Sequence, residues 1–260
     1  MKSVLCYLLL AVLVVFGCKS ANKPKSEQLS LQADADEGFI PIFDGKTLSN
    51  WDGDSTYWRV ENGCLTGEVT PATLLDRNTF IVWKGGAPKD FELKLEFRIS
   101  KNGNSGINYR SEPIDTIPFA LKGYQCDIDG QNRYTGQNYE ERKRTTLAYR
   151  GQKVVVNARE NAGAEGSLKS NIKNNAWQGV EITGLLGEPD SLNTYIHDDD
   201  WNTCHLVVRG NRMQHYINRI LMSDVTDNDA INRSFSGSIG VQVHVGPPMK
   251  VEYRNIRLKE

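Results

Sequence analysis

Strict alternation of apolar and charged residues is the feature that most constrains the fold of this chain. From Phe91 to Ile99 every odd-numbered residue is apolar and every even-numbered residue is charged. Nine residues with a period of two predict a β-strand that has one buried and one solvated face. Such a strand needs a second layer of structure over its apolar face. The pattern therefore predicts a packed, all-β protein.

Short turn signals separate many further strand-like segments, and long helical patterns are scarce. Asn62-Gly63 is the best two-residue hairpin signal, and turns are also predicted at 210–211 and 218–219. Short strands at this spacing, over about 220 residues, favour a two-sheet jelly-roll sandwich. We expect residues 38–260 to form this single domain. The Gly- and Asn-rich segment 157–200 is expected to be a long loop that shapes a site.

The first 37 residues are predicted to direct the protein out of the cytoplasm. A basic start and the apolar run 5–16 predict a signal peptide over residues 1–17, because the run is too short to span a bilayer. Gly17-Cys18 resembles a bacterial lipobox, which predicts a lipid on Cys18, and the polar residues 18–37 predict a flexible tether. We expect a bacterial cell-envelope lipoprotein, periplasmic or on the outer-membrane surface, that meets the membrane only through this lipid. An ordinary signal peptide followed by an unrelated cysteine is the alternative.

Charge, motif and cysteine content exclude several classes of function. The chain has 31 Lys and Arg against 32 Asp and Glu, a formal charge of -1, so no nucleic-acid partner is expected. It contains no Walker A motif, dinucleotide fingerprint or nucleophile elbow, and we expect no organic cofactor. Five cysteines are too few for a disulfide scaffold. Cys64, Cys126 and Cys204 are predicted to be free, buried thiols.

Residue parity places a polar set of side chains on one face of three predicted strands. In 106–110, 123–130 and 240–245, polar residues alternate with apolar ones, and residues two apart point the same way. The polar set comprises Asn108, Arg110, Gln125, Asp127, Asp129, Gln242 and His244. A solvated sheet face is the simpler interpretation, but amides, acids and glycine-rich turns together favour a binding site. Trp83 precedes a Gly-Gly pair and is predicted to stack on a sugar ring.

Two further groups suggest chemistry at this site. Asp127 and Asp129, two residues apart, predict one divalent cation, either Ca²⁺ or Mg²⁺ or, with His244, a transition metal. Glu141 and Arg142 lie in a run of charges, and such runs are usually solvated. A buried carboxyl beside a cation would instead have the shifted pKa that general acid–base catalysis requires.

Eight short stretches, in order, resemble one known family. They are 38–48, 58–63, 90–98, 104–110, 123–125, 201–202, 209–212 and 254–257. They resemble the 3-keto-disaccharide hydrolase family, formerly a domain of unknown function, whose members are secreted or lipidated bacterial jelly rolls of the concanavalin A-like lectin/glucanase type. Many members have Glu and Gln where this chain has Gln125 and Asp127. The exact substrate therefore does not carry over.

The resemblance implies an extracytoplasmic hydrolase or lyase that cleaves 3-keto-glycosides. Its expected steps are removal of the C2 proton, elimination of the C1 substituent and hydration. The catalytic residues expected from parity are His244, Glu141 and Arg142. The residues expected to bind the small carbohydrate substrate are Asn108, Arg110, Gln125, Gln242 and Trp83. A non-catalytic carbohydrate-binding lipoprotein is the alternative, and a conventional glucanase ranks third because 125–129 lacks the paired glutamates of such enzymes.

Overall fold

Two β-sheets and one short helix make up the described part of the chain. The computed structural model describes residues 37–158, 177 and 179–260. The prediction of a two-sheet, all-β jelly-roll sandwich is confirmed. The predicted signal peptide, Cys18 and nearly all of the predicted tether lie outside the described residues. Within the described ranges, no helix is long and apolar enough to cross a bilayer.

The larger sheet contains ten of the described strands. Their spatial order is β12 (Val180–Leu185), β11 (Gln152–Val156), β15 (Ile220–Asp227), β14 (Arg212–Ile217), β13 (Asn202–Arg209), β6 (Phe91–Ile99), β17 (Met249–Lys259), β4 (Cys64–Val69) and β3 (Trp58–Glu61), with β1 (Ile40–Pro41) paired to β17. The alternating segment is β6, which lies between β13 and β17 with its odd-numbered residues buried. Among the described pairs, only β11 and β15 run parallel.

The smaller sheet contains seven of the described strands. Their order is β10 (Thr145–Ala148), β9 (Asn138–Glu141), β8 (Leu121–Asp129), β7 (Asn104–Pro113), β16 (Ser238–Val243), β5 (Thr79–Trp83) and β2 (Trp51–Asp52). The helix α1 (Pro189–Asn193) precedes β13. The predicted two-residue turns join β3 to β4, β13 to β14 and β14 to β15. Asn62, Asn218 and Arg219 have positive φ there, as hairpin turns of this length require.

The hydrophobic core lies between the two sheets. Leu93 and Leu95 enter it from β6, and Ile107 and Tyr109 enter it from β7. Burial of such side chains contributes roughly 25 cal/mol per Å² of apolar surface removed from water. The three cysteines of the described part are free and buried, as predicted. Because one face of the smaller sheet is committed to this core, its other face is available for a site.

Candidate functional site

The strand parity predicted on β8 holds in the structure. Tyr124, Cys126 and Ile128 enter the core, whereas Gln125 and Asp127 project from the opposite face of the sheet. The two polar side chains thus share the face that the core leaves free. This face carries the candidate site.

A polar pocket of about 280 Å³ opens on this face of the smaller sheet. Acids, amides, phenols and one imidazole line it. They are Asn78, Asn104, Gln125, Asp127, Tyr134, Gln137, Tyr139, Glu141 and His244. Pockets for drug-sized ligands usually span about 300–1,000 Å³, so this one suits a small polar ligand. Of the site residues predicted from the sequence, the pocket brings together Gln125, Asp127, Glu141 and His244.

A glycine on the neighbouring strand leaves room for the side chain of Gln125. Gly106 of β7 pairs with Asp127 of β8. A Cβ atom at residue 106 would lie 2.3 Å from Cδ of Gln125. The Gln125 side chain therefore lies over Gly106, and Nε2 of Gln242 donates to its Oε1 at 3.3 Å. Gln242 is fully buried behind the lining residues.

Asp127 is a buried acid held by two amides. Nε2 of Gln125 donates to its Oδ1 at 2.6 Å, and Nε2 of Gln137 donates to its Oδ2 at 2.5 Å. Burial raises the pKa of Asp127 to about 7, although both amide hydrogen bonds favour the charged form. Asp127 therefore exchanges its proton near neutral pH.

Glu141, the last residue of β9, is buried but weakly hydrogen-bonded. Nδ2 of Asn78 donates to its Oε1 at 3.3 Å, and Nε2 of Gln242 donates to its Oε2 at 3.4 Å, both longer than usual. Burial raises the pKa of Glu141 above its ordinary value, while the nearby Arg142 opposes the rise. The charge run thus contains the predicted carboxyl beside a cation.

His244 and Arg142 lie at the edge of this arrangement. His244 is half-buried, lines the pocket, and has Nδ1 2.5 Å from the carbonyl oxygen of Val245. Nε of Arg142 lies 3.6 Å from Oε1 of Glu141, but Arg142 is exposed and is not part of the lining. Oδ1 of Asn78 accepts from the backbone N–H of Val245, so Asn78 links this segment to Glu141.

The structure does not bring Arg110 to the pocket. A β-bulge interrupts β7 between Tyr109 and Glu112, and Arg110 has a φ of 44° there. Its guanidinium donates to the carbonyl oxygens of Lys89 and Gly210 instead. The bulge breaks the period of two on which the prediction rested.

Asn108 and Trp83 also lie outside the lining. Asn108 pairs with Gln125 but is fully buried, and neither polar atom of its amide has a partner in the described part of the chain. Trp83 packs against the core, and its ring occupies the space where a Cβ at Gly85 would lie. Neither side chain is placed to touch a ligand in this pocket.

Asp129 does not form a metal-ligand pair with Asp127. Its Oδ1 accepts from the backbone N–H groups of Tyr134 and Thr135 at 2.8 and 3.2 Å, so Asp129 orders its own loop. Both Asp127 oxygens are bonded by amides. Among the residues that can be described, no group of three or more His, Cys, Asp and Glu side chains is placed to hold a metal. These two aspartates do not fit the predicted cation, and metal dependence stays a prediction.

Five lining residues were not identified from the sequence. They are Asn78, Asn104, Tyr134, Gln137 and Tyr139. Tyr139 lies two residues before Glu141 on β9, so parity alone was enough to find it. Asn78, Tyr134 and Gln137 lie in loops between strands. A loop has no alternating sequence pattern that would predict which way its side chains point. None of residues 179–200 lines the pocket, and 159–176 lie outside the described residues, so the predicted role of 157–200 stays a prediction.

Comparison with known proteins yields one family and one fold. Residues 38–259 match the family described as 3-keto-alpha-glucoside-1,2-lyase-like domain. A 3-keto-disaccharide hydrolase of Bacteroides thetaiotaomicron is 34% identical over 110 residues, which is 37% of this chain and 35% of that protein. The match therefore spans about a third of the relative's length.

Two solved structures from Parabacteroides distasonis, both provisionally assigned as glycosyl hydrolases, share the architecture. One has a TM-score of 0.52 at 15% identity and covers 85% of this chain and 98% of its own. The other has a TM-score of 0.50 at 17% identity and covers 92% and 97%. At these identities the likeness shows the fold alone.

Proposed function

Because the chain belongs to the family of 3-keto-alpha-glucoside-1,2-lyase-like domains, we propose that it cleaves glycosides whose sugar carries a ketone at C3. The observation that supports this most is the pair of buried acids with raised pKa, Asp127 and Glu141, in one small polar pocket. The relative named as a 3-keto-disaccharide hydrolase adds support.

A C3 ketone makes cleavage possible with one well-placed base. The base takes the C2 proton, the electron pair moves toward the C3 oxygen, and an enolate forms. The enolate then expels the C1 substituent, whose oxygen accepts a proton from an acid. Elimination alone is a lyase reaction. Addition of water across the new C1–C2 double bond, with OH at C1 and H at C2, makes the net reaction a hydrolysis.

We assign the base to Glu141 and the acid to His244. The long hydrogen bonds to Glu141 leave its carboxylate free to take a proton, and its raised pKa makes it a stronger base than an exposed glutamate. His244 lines the same pocket and is the imidazole there that can donate a proton to the departing oxygen. Side-chain amides such as Asn104 supply N–H donors for sugar oxygens. Asp127, held by its two amides, orients the ring.

Release of a chromogenic leaving group tests the activity. The purified protein is incubated with both anomers of a 3-keto-glucoside and with the matched unoxidised glucosides. We expect release from one keto anomer and none from the unoxidised pair. Absence of release from every substrate, together with measurable sugar binding, would contradict the enzyme and favour a carbohydrate-binding lipoprotein. An arm with EDTA tests metal dependence separately.

The role of Glu141 has a matched control. Glu141→Gln removes the base without changing shape, and we expect kcat to fall about 10²- to 10⁴-fold. Glu112→Gln alters an exposed glutamate that pairs with Lys122 outside the pocket, and it should leave kcat unchanged. Full turnover by the Glu141 variant would remove Glu141 from the mechanism.

We also propose that the protein is a cell-envelope lipoprotein anchored through Cys18. The support is the apolar run 5–16 followed by Gly17-Cys18. Radiolabelled palmitate should enter the full chain when it is expressed in a bacterium, and Cys18→Ala should abolish the label. Labelling that survives the substitution would contradict the anchor.

A further inference from the structure

The charge of the pocket lining restricts the class of sugar that fits. Asp127 and Glu141 are its acids, His244 is its one titratable base, and no Lys or Arg lines it among the described residues. We infer that the pocket accepts neutral or cationic 3-keto sugars and rejects those that carry a carboxylate, sulfate or phosphate group. This inference rests on the proposed function and narrows its substrate.

The buried cations nearby are bonded elsewhere. The buried arginines of the described part are Arg110, Arg144 and Arg150. Arg110 and Arg150 donate to backbone carbonyl oxygens outside the pocket. Arg144 lies on the core side of its hairpin and binds three buried carboxylates. None of them is free to neutralise an anionic ligand.

The cations at the rim are exposed. Arg142 is already beside Glu141, and the guanidinium of Arg133 lies 5.7 Å from the ring centre of Tyr134. Both residues face solvent, where water screens their charge. An anionic group about 6 Å from an ionised Glu141, at an effective dielectric constant of about 20, would be disfavoured by about 100-fold.

Three substrates that differ only at C6 test the inference. Each is a 3-keto-glucoside with the same chromogenic aglycone, and C6 carries a hydroxyl, a carboxylate or an ammonium group. We expect kcat/KM for the carboxylate to be about 100-fold below that for the hydroxyl, with the ammonium compound close to the hydroxyl compound. Equal values for carboxylate and hydroxyl would overturn the inference. Equal losses for both charged compounds would also overturn it, because size or desolvation would then explain the selection.

A charge-changing variant provides a second test. Asn104→Lys adds a cation to the lining, and Asn104→Gln changes length without charge. The lysine variant should raise the carboxylate-to-hydroxyl ratio of kcat/KM at least 10-fold over the glutamine variant. An unchanged ratio in a variant that retains its melting temperature would overturn the inference. If the hydroxyl compound is not cleaved at all, the proposed function fails, and calorimetric binding of the corresponding unoxidised sugars still tests charge selection.

Discussion

At the scale of single residues, the burial of Asp127 lowers the stability of the folded protein at neutral pH. Its pKa rises from about 3.9 in an unfolded chain to about 7 in the folded protein. The unfolded chain thus releases this proton first, and the folded state loses stability as the pH rises from about 4 to 7. Asp127→Asn removes that loss and should stabilise the protein at pH 8 by roughly 1–4 kcal/mol, while activity falls.

Urea unfolding at two pH values checks this prediction. At pH 3.5, Asp127 is largely protonated in both states, so the variant and the wild type should unfold at nearly the same urea concentration. At pH 8 the variant should require more urea. A variant that is less stable at pH 8 would show that the hydrogen bonds from Gln125 and Gln137 outweigh the burial of the carboxylate, so that the pKa of Asp127 is not raised.

Residue parity predicted three of the nine lining residues of the described pocket, Gln125, Asp127 and His244, and the run of charges added Glu141. It works for Gln125 and Asp127 because β8 is regular there, with neighbours on both sides. It fails for Arg110 because a bulge rotates one residue of β7. Asp129 lies on the expected face, but its carboxylate turns into its own loop. The alternation of polar and apolar residues in a sequence predicts neither a β-bulge nor the rotamer of a side chain.

At the scale of elements, the Gln125 side chain of β8 lies across β7 because Gly106 has no side chain there. Gly106→Ala places a methyl group 2.3 Å from Cδ of Gln125, so Gln125 must move and release Asp127. We expect kcat/KM to fall at least 10-fold. At Gly184 of β12 the same substitution meets nothing closer than 3.7 Å, and Gly184→Ala should keep full activity. Equal activity of the two variants would mean that the position of Gln125 does not matter.

Strands and hairpins were the most predictable elements. The alternation of β6 and the turn residues 62–63, 210–211 and 218–219 are local signals, because side-chain period and turn chemistry depend on adjacent residues. Arg219 takes a positive φ that usually favours glycine, and the turn still forms where predicted. Pairing between distant strands, such as β7 with β16, depends on the whole chain and was not predictable.

At the scale of the whole molecule, the pocket depends on segments far apart in sequence. Asn78 precedes β5 and Glu141 ends β9, yet the two side chains are hydrogen-bonded. The sequence predicted both sheets and the two central acids. It did not predict that the loop 70–78 would reach the pocket face of the smaller sheet. The position of a loop over a sheet depends on the whole fold and cannot be predicted from the residues of the loop.

A buried ion cluster joins the two sheets on the core side of the Glu141 hairpin. Arg144, in the turn after β9, lies 2.5 Å from Glu140, 2.6 Å from Asp227 at the end of β15, and 3.2 Å from Asp229. Arg144→Met would leave three buried carboxylates without their guanidinium. We expect the free energy of unfolding to fall by about 3–5 kcal/mol.

The denaturant midpoints of Arg144→Met and of a matched control variant test whether the buried ion cluster stabilises the protein. Lys122→Met removes the cation of an exposed pair with Glu112 in the same sheet, and it should cost less than about 1 kcal/mol. If Arg144→Met cost no more than this control, packing alone would hold the hairpin in place. A large loss specific to Arg144 would mean that the buried ion cluster stabilises the fold of the hairpin that also carries Glu141.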